Sequence, residues 1–333
     1  MHWTQALTSE RLVNIALLWF SFYWSRLRKI PLTRGLPAAV AIEPTTLCNL
    51  RCPQCPSGKR SFTRPTGNMD ITFFKHLVDQ VAPHAVYLTL YFQGEPFLHR
   101  HFCEMVQYAT QRRLFTVTST NGHFIDPYKA EQLILSGLGR LIFSVDGVTQ
   151  ESYQQYRVGG LLDRVLESIR NVVAAKRSLR KSHPQVVVQF LIGKHNEKEL
   201  SGMRSMAKAL KVDQAVFKTM QLYDEEGVKQ FLPEDDRLAR YIRNENGLML
   251  KGRLRNSCWR MWYGCVVTWD GKVVPCCFDK DARYVMGDLN NNSLQEIWFG
   301  EPYRQFRHKI LTGRSNIDIC SNCSEGAKVW IRP

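Results

Sequence analysis

What this sequence lacks narrows the answer before anything it contains. No apolar run reaches the roughly 20 residues that a membrane-spanning helix requires; the longest, Leu12 to Trp24, falls short of that length. The same run has little positive charge before it and no small-residue cleavage site after it, so it does not read as a secretory signal. Low-complexity tracts and internal repeats are absent, and the 333 residues, 44% of them hydrophobic, suffice for one large domain or two with an ample core. Acidic residues are the scarcer sign, 30 against 45 Lys and Arg, a net charge of +15. Part of the excess lies in Arg26, Arg28, Lys29 and Arg34 and part in Arg164 to Lys181. It reads either as solvated helix faces or as attraction to an anionic phospholipid, a phosphorylated substrate or an acidic peptide. No nucleic-acid module is present, and nucleic acid is not an expected partner. A disulfide framework is missing too. The ten cysteines include clusters spaced C-x3-C-x2-C, Cys-Cys and C-x2-C, a pattern of metal ligands in a reducing compartment rather than of a secreted scaffold. The expected location is therefore the cytoplasm.

The chain is organised around Cys48, Cys52 and Cys55, which follow an apolar run, Ala38 to Ile42. Three thiolates can hold three irons of a cubic [4Fe–4S] cluster and leave the fourth without a protein ligand. Such a vacancy lets a cluster bind and reduce a substrate. A zinc site is the competing reading, because a second C-x2-C stands at Cys320 and Cys323. The triad resembles the signature of the radical S-adenosylmethionine (SAM) superfamily. That resemblance implies that SAM binds the open iron and is reductively cleaved to methionine and a 5′-deoxyadenosyl radical, with electrons from an external donor of flavodoxin or ferredoxin type.

From Ala39 to about Met220, β-rich runs alternate with helical periods. Strands are expected at Val40–Glu43, Tyr87–Phe92, Phe115–Thr118, Arg140–Val145, Val186–Leu191 and Ala215–Lys218. Helices are expected at Asp70–Val81, His99–Arg113, Pro127–Ser136, Leu161–Arg180 and Glu197–Leu210. Six βα units predict an α/β fold, a partial (βα)6 TIM-like barrel over 37–235, with active residues at the C-terminal ends of its strands. The triad lies in that position after the first strand.

Further candidates fall at equivalent ends. Gly94 and Glu95 lie in a Gly-Glu-Pro run that resembles the superfamily's GGE motif, which contacts the methionyl amine of SAM. Asn121 belongs to a Thr-Asn-Gly turn. Ser144, in Ser-Val-Asp-Gly, and Arg157, in Arg-Val-Gly-Gly, resemble the run that approaches the methionyl carboxylate and ribose. An Arg fork suits a carboxylate. The position before the third cysteine is usually aromatic in the family and packs near adenine. Here it is Gln54, which leaves a backbone contact. Lys59, Arg60 and Arg64 read equally as a substrate-anion site or a solvated loop. Cys103 reads as a small core residue, and His99 and His101 as caps or surface.

The βα rhythm stops after Lys218. A linker is placed at 236–256, with a charged helix expected over 234–246. The segment Trp269–Cys277 predicts a tight hairpin turning on Asp270-Gly271 and delivering a thiol, and a short helix follows at Ser293–Phe299. Cys258, Cys276, Cys320 and Cys323, with Cys265 and Cys277 as substitutes, resemble the SPASM or shorter twitch extension of radical SAM enzymes, here 257–333. The resemblance implies auxiliary [4Fe–4S] binding, and six thiols favour one such cluster. Asp279 lies near the position where related oxidative enzymes carry an acid that takes a substrate proton; a turn cap is the other reading.

In residues 1–36, Arg11, Asn14, Ser21, Ser25 and Arg28 fall on one helical stripe, interrupted by Leu18, opposite a broad aromatic face. This predicts an amphipathic helix lying in a membrane interface, on the inner face of the membrane, or else one docked on the chain's own barrel. The expected function is hydrogen abstraction from a small anionic or lipid-linked metabolite. The alternatives are a peptide- or protein-modifying maturase and a non-catalytic zinc or iron–sulfur regulator.

Overall fold

Six β-rich runs become parallel strands: β1 (Ala39–Ile42), β2 (Tyr87–Thr89), β3 (Phe115–Thr120), β4 (Arg140–Ser144), β5 (Gln185–Ile192) and β6 (Gln214–Thr219). Each pairs with the next in register along the sheet, the order that helical crossovers impose. The computed structural model describes residues 2–244, 247–325 and 329–331. Helices at Ile71–Val81, Phe102–Gln111, Pro127–Leu135, Leu162–Ser178 and Leu200–Ala209 lie within the expected periods. They bury Phe74, Val106, Leu133, Ile169 and Met203 in the common core. Their entries are set locally. Asp70 accepts from the backbone N–H of Thr72 and Phe73, and Asp126 caps Lys129 ahead of Pro127. The expected α/β partial barrel is the fold observed.

The charged helix expected over 234–246 does not form over its described residues, 234–244; 245 and 246 lie outside them. Tyr241–Asn244 (β7) and Gly247–Leu250 (β8) instead pair as an antiparallel hairpin. Tyr241 is the reason: it is buried, its hydroxyl donates to Asn322 Oδ1 at 2.7 Å and accepts from Leu222 N–H at 3.0 Å. Burial with both polar demands met outweighs a weak local charge pattern. Beyond it, Gly264–Val267 (β9) pairs parallel with β1, Lys272–Val274 (β10) turns back antiparallel on β9 through the expected hairpin, and Gly287–Asp288 (β11) follows. Trp330–Ile331 (β12) pairs antiparallel with β6 at the opposite edge. The cysteine-rich C-terminal segment thus extends the barrel sheet beside β1.

The N-terminal helix α1 (Ser9–Arg28) is docked on the barrel, and its polar stripe faces inward. Arg11 is buried and donates to the carbonyls of Ala6, Ala82, Arg112 and Arg113 at 2.6–3.1 Å. Asn14 exchanges bonds with both backbone groups of Leu36 at 2.8 Å. Ser21 and Ser25 accept from the N–H groups of Arg34 and Leu32. These side chains satisfy backbone groups of loops that have no ladder of their own. Arg28 remains exposed. Trp262 and Trp298 donate to the carbonyls of Leu32 and Gly35, both at 2.8 Å, which ties the N-terminal segment to the C-terminal helices. Among the described residues no helix is long and apolar enough to cross a membrane.

Arg11→Met leaves these four carbonyls, buried or partly buried, without their donor, and we expect a loss of about 3 kcal/mol of stability. A urea midpoint equal to wild type would show that these bonds contribute nothing.

Candidate active site and auxiliary cysteine centre

The loop after β1 has little regular pairing, so its shape comes from clamps. Thr46 N–H donates to Gly67 O, and Gly67 N–H donates to Thr46 Oγ1. Glu95 N–H reaches Leu47 O at 2.7 Å, and Arg51 N–H reaches Val158 O at 2.9 Å. Cys55 precedes a short helix, Pro56–Lys59, with Pro56 at its first position. Gly94 has φ +74°, and a Cβ there would stand 2.4 Å from Thr45 O, so only glycine lets the end of β2 approach the loop.

These clamps bring Cys48, Cys52 and Cys55 to one open cavity, shared with Gly94, Glu95, Asn121, Ser144 and Arg157. Eight of the nine residues expected there from the triad and strand-end motifs are therefore together, at the C-terminal ends of β1 to β4. Asn121 Nδ2 lies 3.9 Å from Cys48 Sγ and donates to Asn49 Oδ1 at 2.7 Å. Arg157 Nη1 lies 3.8 Å from Cys52 Sγ, and its Nε donates to Asp146 Oδ2 at 2.6 Å. Asp146 is wholly buried and also accepts from Leu191 N–H. The ion pair is internal, and it aims the guanidinium at the cavity. The Ser144 hydroxyl makes no hydrogen bond among the described residues.

Gln54 is the ninth, and its side chain turns away. Its Nε2 donates to Asp224 Oδ1 at 3.0 Å and its Oε1 accepts from Tyr223 N–H at 2.9 Å. It packs against Gly227, where a Cβ would stand 2.3 Å from Nε2. The side chain fastens the cysteine loop to the segment after β6. The nearby cations are committed as well, which corrects the anion-site reading for two of them. Lys59 pairs with Asp224 at 2.6 Å. Arg64 forms a two-pronged pair with fully buried Glu43 at 2.8 and 2.6 Å.

Burial raises the thiol of Cys48 to about 11 and that of Cys52 to about 12. Free nucleophilic cysteines show the opposite shift; buried thiols become anions when a metal replaces the proton. The C-terminal group behaves alike. Cys258, Cys320 and Cys323 are buried, and the charges of Cys258 and Cys323 both bear on Cys276. Arg314 is buried among them: Nη2 donates to Cys323 Sγ at 3.3 Å and Nη1 to Ser257 O at 2.9 Å, while Nε has no partner. No carboxylate compensates this cation among the described residues, so the donor set fits an anionic sulfur-ligated cluster. A preformed site for one ion is lacking: among the described residues no three His, Cys, Asp or Glu side chains are close enough to hold a single metal.

The two substitute cysteines separate. Cys265 is buried near Arg307, whose charge is the main one it senses. Cys277 is exposed and lies within electrostatic reach of Lys218 and Lys280. Asp279 is 1% exposed, and its two oxygens accept from the N–H groups of Arg283 and Tyr284 at 2.8 and 2.9 Å. It caps the turn after β10, the second of its two readings, and is not among the residues that line the cavity. Sequence reasoning missed Asp146, Glu43 and Arg314. Asp146 sat inside a quoted motif; the other two had no local signal.

Comparison with known proteins agrees with this geometry. The family model for the radical SAM superfamily matches residues 42–204, and the one for an iron–sulfur cluster-binding domain, SPASM, matches 258–324. The chain is 26% identical over 311 residues to the tungsten-containing aldehyde ferredoxin oxidoreductase cofactor-modifying protein of Pyrococcus furiosus, covering 85% of this chain and 86% of that one. It is 26% identical over 318 residues to the PqqA peptide cyclase of Gluconobacter oxydans, covering 88% and 84%. Its fold is similar to the crystal structure of Streptococcus suis SuiB bound to S-adenosylmethionine, with TM-score 0.65, 13% identity and coverage of 91% and 75%.

Glu95 is 2% exposed and accepts from Thr120 Oγ1 and Asn121 N–H, each at 2.7 Å, and from Phe97 N–H. Burial outweighs these bonds and raises its carboxyl from 4.5 to about 7. The folded chain therefore holds a proton that the unfolded chain releases. Stability conferred below pH 4.5 is lost as the pH rises towards 7, on the order of 3 kcal/mol for this group. Glu95→Gln flattens that window in pH-dependent unfolding of the cluster-free protein; an unaltered pH profile would contradict the shift.

Proposed function

The chain belongs to the radical SAM superfamily and carries its iron–sulfur-binding SPASM domain, and from that premise we propose that it is a maturase modifying a peptide or a cofactor precursor at carbon. The cofactors are a SAM-binding [4Fe–4S] cluster, SAM and auxiliary iron–sulfur in the SPASM region. When bound, they supply an oxidant for unactivated C–H bonds and a store for an electron.

The chain's own residues do the positioning. Cys48, Cys52 and Cys55 hold the SAM-side cluster. Arg157, braced by Asp146, offers its fork to the carboxylate of SAM, and the unpaired Ser144 hydroxyl and Asn121 flank it. Gly94 gives backbone access, and Glu95 braces the β3 turn from beneath. The backbone at Gln54 borders the adenine side, while its side chain holds the loop closed against Tyr223 and Asp224. Cys258, Cys276, Cys320 and Cys323 hold one auxiliary cluster, with Arg314 as counter-charge.

The observation that carries the substrate reading is a set of cations between the two cysteine groups. Lys280 senses both Cys55 and Cys277. Lys218 senses the charge of Arg240, which is buried and donates to Thr219 O and Oγ1, and neither forms an ion pair with a carboxylate among the described residues. Lys280 donates to the Tyr223 hydroxyl and lies 4.3 Å from that ring's centre. Cations gathered without acids suit a carboxylate-bearing substrate, such as an acidic side chain of a peptide. Named relatives that modify a cofactor and cyclise a peptide, matched along most of their length, support a maturase. A small anionic metabolite is the second reading, favoured by the same cations.

The reconstituted protein is expected to carry about eight irons as two cubanes and to form 5′-deoxyadenosine with SAM and a reductant under anaerobic conditions. The Cys48→Ala/Cys52→Ala/Cys55→Ala variant should keep about half the iron and lose that product; continued formation would refute the triad's role. A short peptide encoded beside the gene should lose hydrogen in the same reaction, seen by mass spectrometry. An unmodified peptide together with turnover on a small anion would replace the maturase reading. Lys280→Met should raise KM for the substrate by about tenfold, the worth of one charge-assisted bond. An unchanged KM would remove Lys280 from the site.

A further inference from the structure

Helix α1 presents to solvent the face that a docked helix normally buries. Its polar stripe is used up on barrel loops, while Leu12, Val13, Trp19, Phe20, Tyr23 and Leu27 are 48–80% exposed. Their positions, at about 100° per residue, fall on one side of the helix, opposite buried Leu18. A contiguous aromatic and aliphatic surface of this kind marks a contact site. Arg26 and Arg28 stand on its two flanks at the last turn, Lys29 follows, and Arg34 lies 5.6 Å from the Phe20 ring. All four cations are exposed, and Glu10 is the only acidic residue of the helix. The Trp19 N–H and Tyr23 hydroxyl make no hydrogen bond among the described residues.

We infer that α1 is a membrane-surface anchor that lays this face into the headgroup region of an anionic bilayer. Charge selects that occupant. A ring with an apolar body and a free polar tip suits headgroup depth, and arginines at the rim suit acidic lipid. A second copy of the chain would bring the same excess of cation and a single carboxylate. The helix lies in the plane and does not cross, in keeping with its length and polar underside. Arg11 fixes it to carbonyls that precede β2 and β3, at the end of the barrel opposite the cysteine triad. The anchored protein thus opens its cavity away from the lipid, which favours a substrate arriving from water.

The full-length reconstituted protein should co-sediment with phosphatidylcholine vesicles containing phosphatidylglycerol, and less with phosphatidylcholine alone or at high salt. Phe20→Ser/Leu27→Ser should weaken this binding by about tenfold or more, as should Arg26→Gln/Arg28→Gln. Circular dichroism and 5′-deoxyadenosine formation should be unaltered, because these side chains point away from the core. Absence of co-sedimentation, or equal binding by the Phe20/Leu27 variant, would overturn the anchor. So would a dimer in analytical ultracentrifugation that this variant dissolves, since a second copy would then cover the face.

Discussion

Everything at the active end depends on holding three sulfur donors in a loop that has almost no backbone ladder. A strand is held by its neighbours at every second residue; the segment from Thr45 to Ser57 is not. Its anchors come from elsewhere: Gly67 later in the same crossover, Glu95 just past β2 and Val158 beyond β4 each bind its backbone, and Ser57 Oγ accepts from Gly94 N–H at 2.9 Å. The close approach at Gly94, with its positive φ, is therefore a condition for the cavity. A side chain there would drive the ends of β1 and β2 apart.

Buried charge does the aiming. Arg157 is held by Asp146, Arg64 by Glu43, and Arg314 is surrounded by thiols. A buried ion pair contributes little net stability when compared with apolar packing. It does fix direction, because breaking it strands a charge in low dielectric. The two cysteine groups sit on different segments, joined through the β1–β9 pairing. That pairing makes the C-terminal domain a continuation of the barrel and sets Lys280 between the two groups.

Much of this was legible in the chain. The cysteine spacings, the six βα periods and the strand-end motifs are local patterns, and local patterns survive into the fold because hydrophobic periodicity decides which face is buried. The hairpin at Asp270-Gly271 was legible for the same reason: Gly271 supplies the φ of +89° that the turn requires. The charged segment after Asp236 was misleading. Its strands are fixed by a tyrosine hydroxyl that meets Asn322, some 80 residues away.

The sequence by itself determined the chemistry: which residue types stand at which strand ends, and hence sulfur donors, glycines for close approach and an arginine fork. Only the tertiary structure decided how each side chain is employed. Gln54 and Asp279 are drawn to backbone and side-chain partners on other segments, and Arg314 is placed against thiols from two segments. The polar stripe of α1 turned inward because unpaired loop carbonyls and amides offered it hydrogen bonds. A helical wheel records which faces differ in polarity; it holds no information about which face finds the partners that make burial favourable.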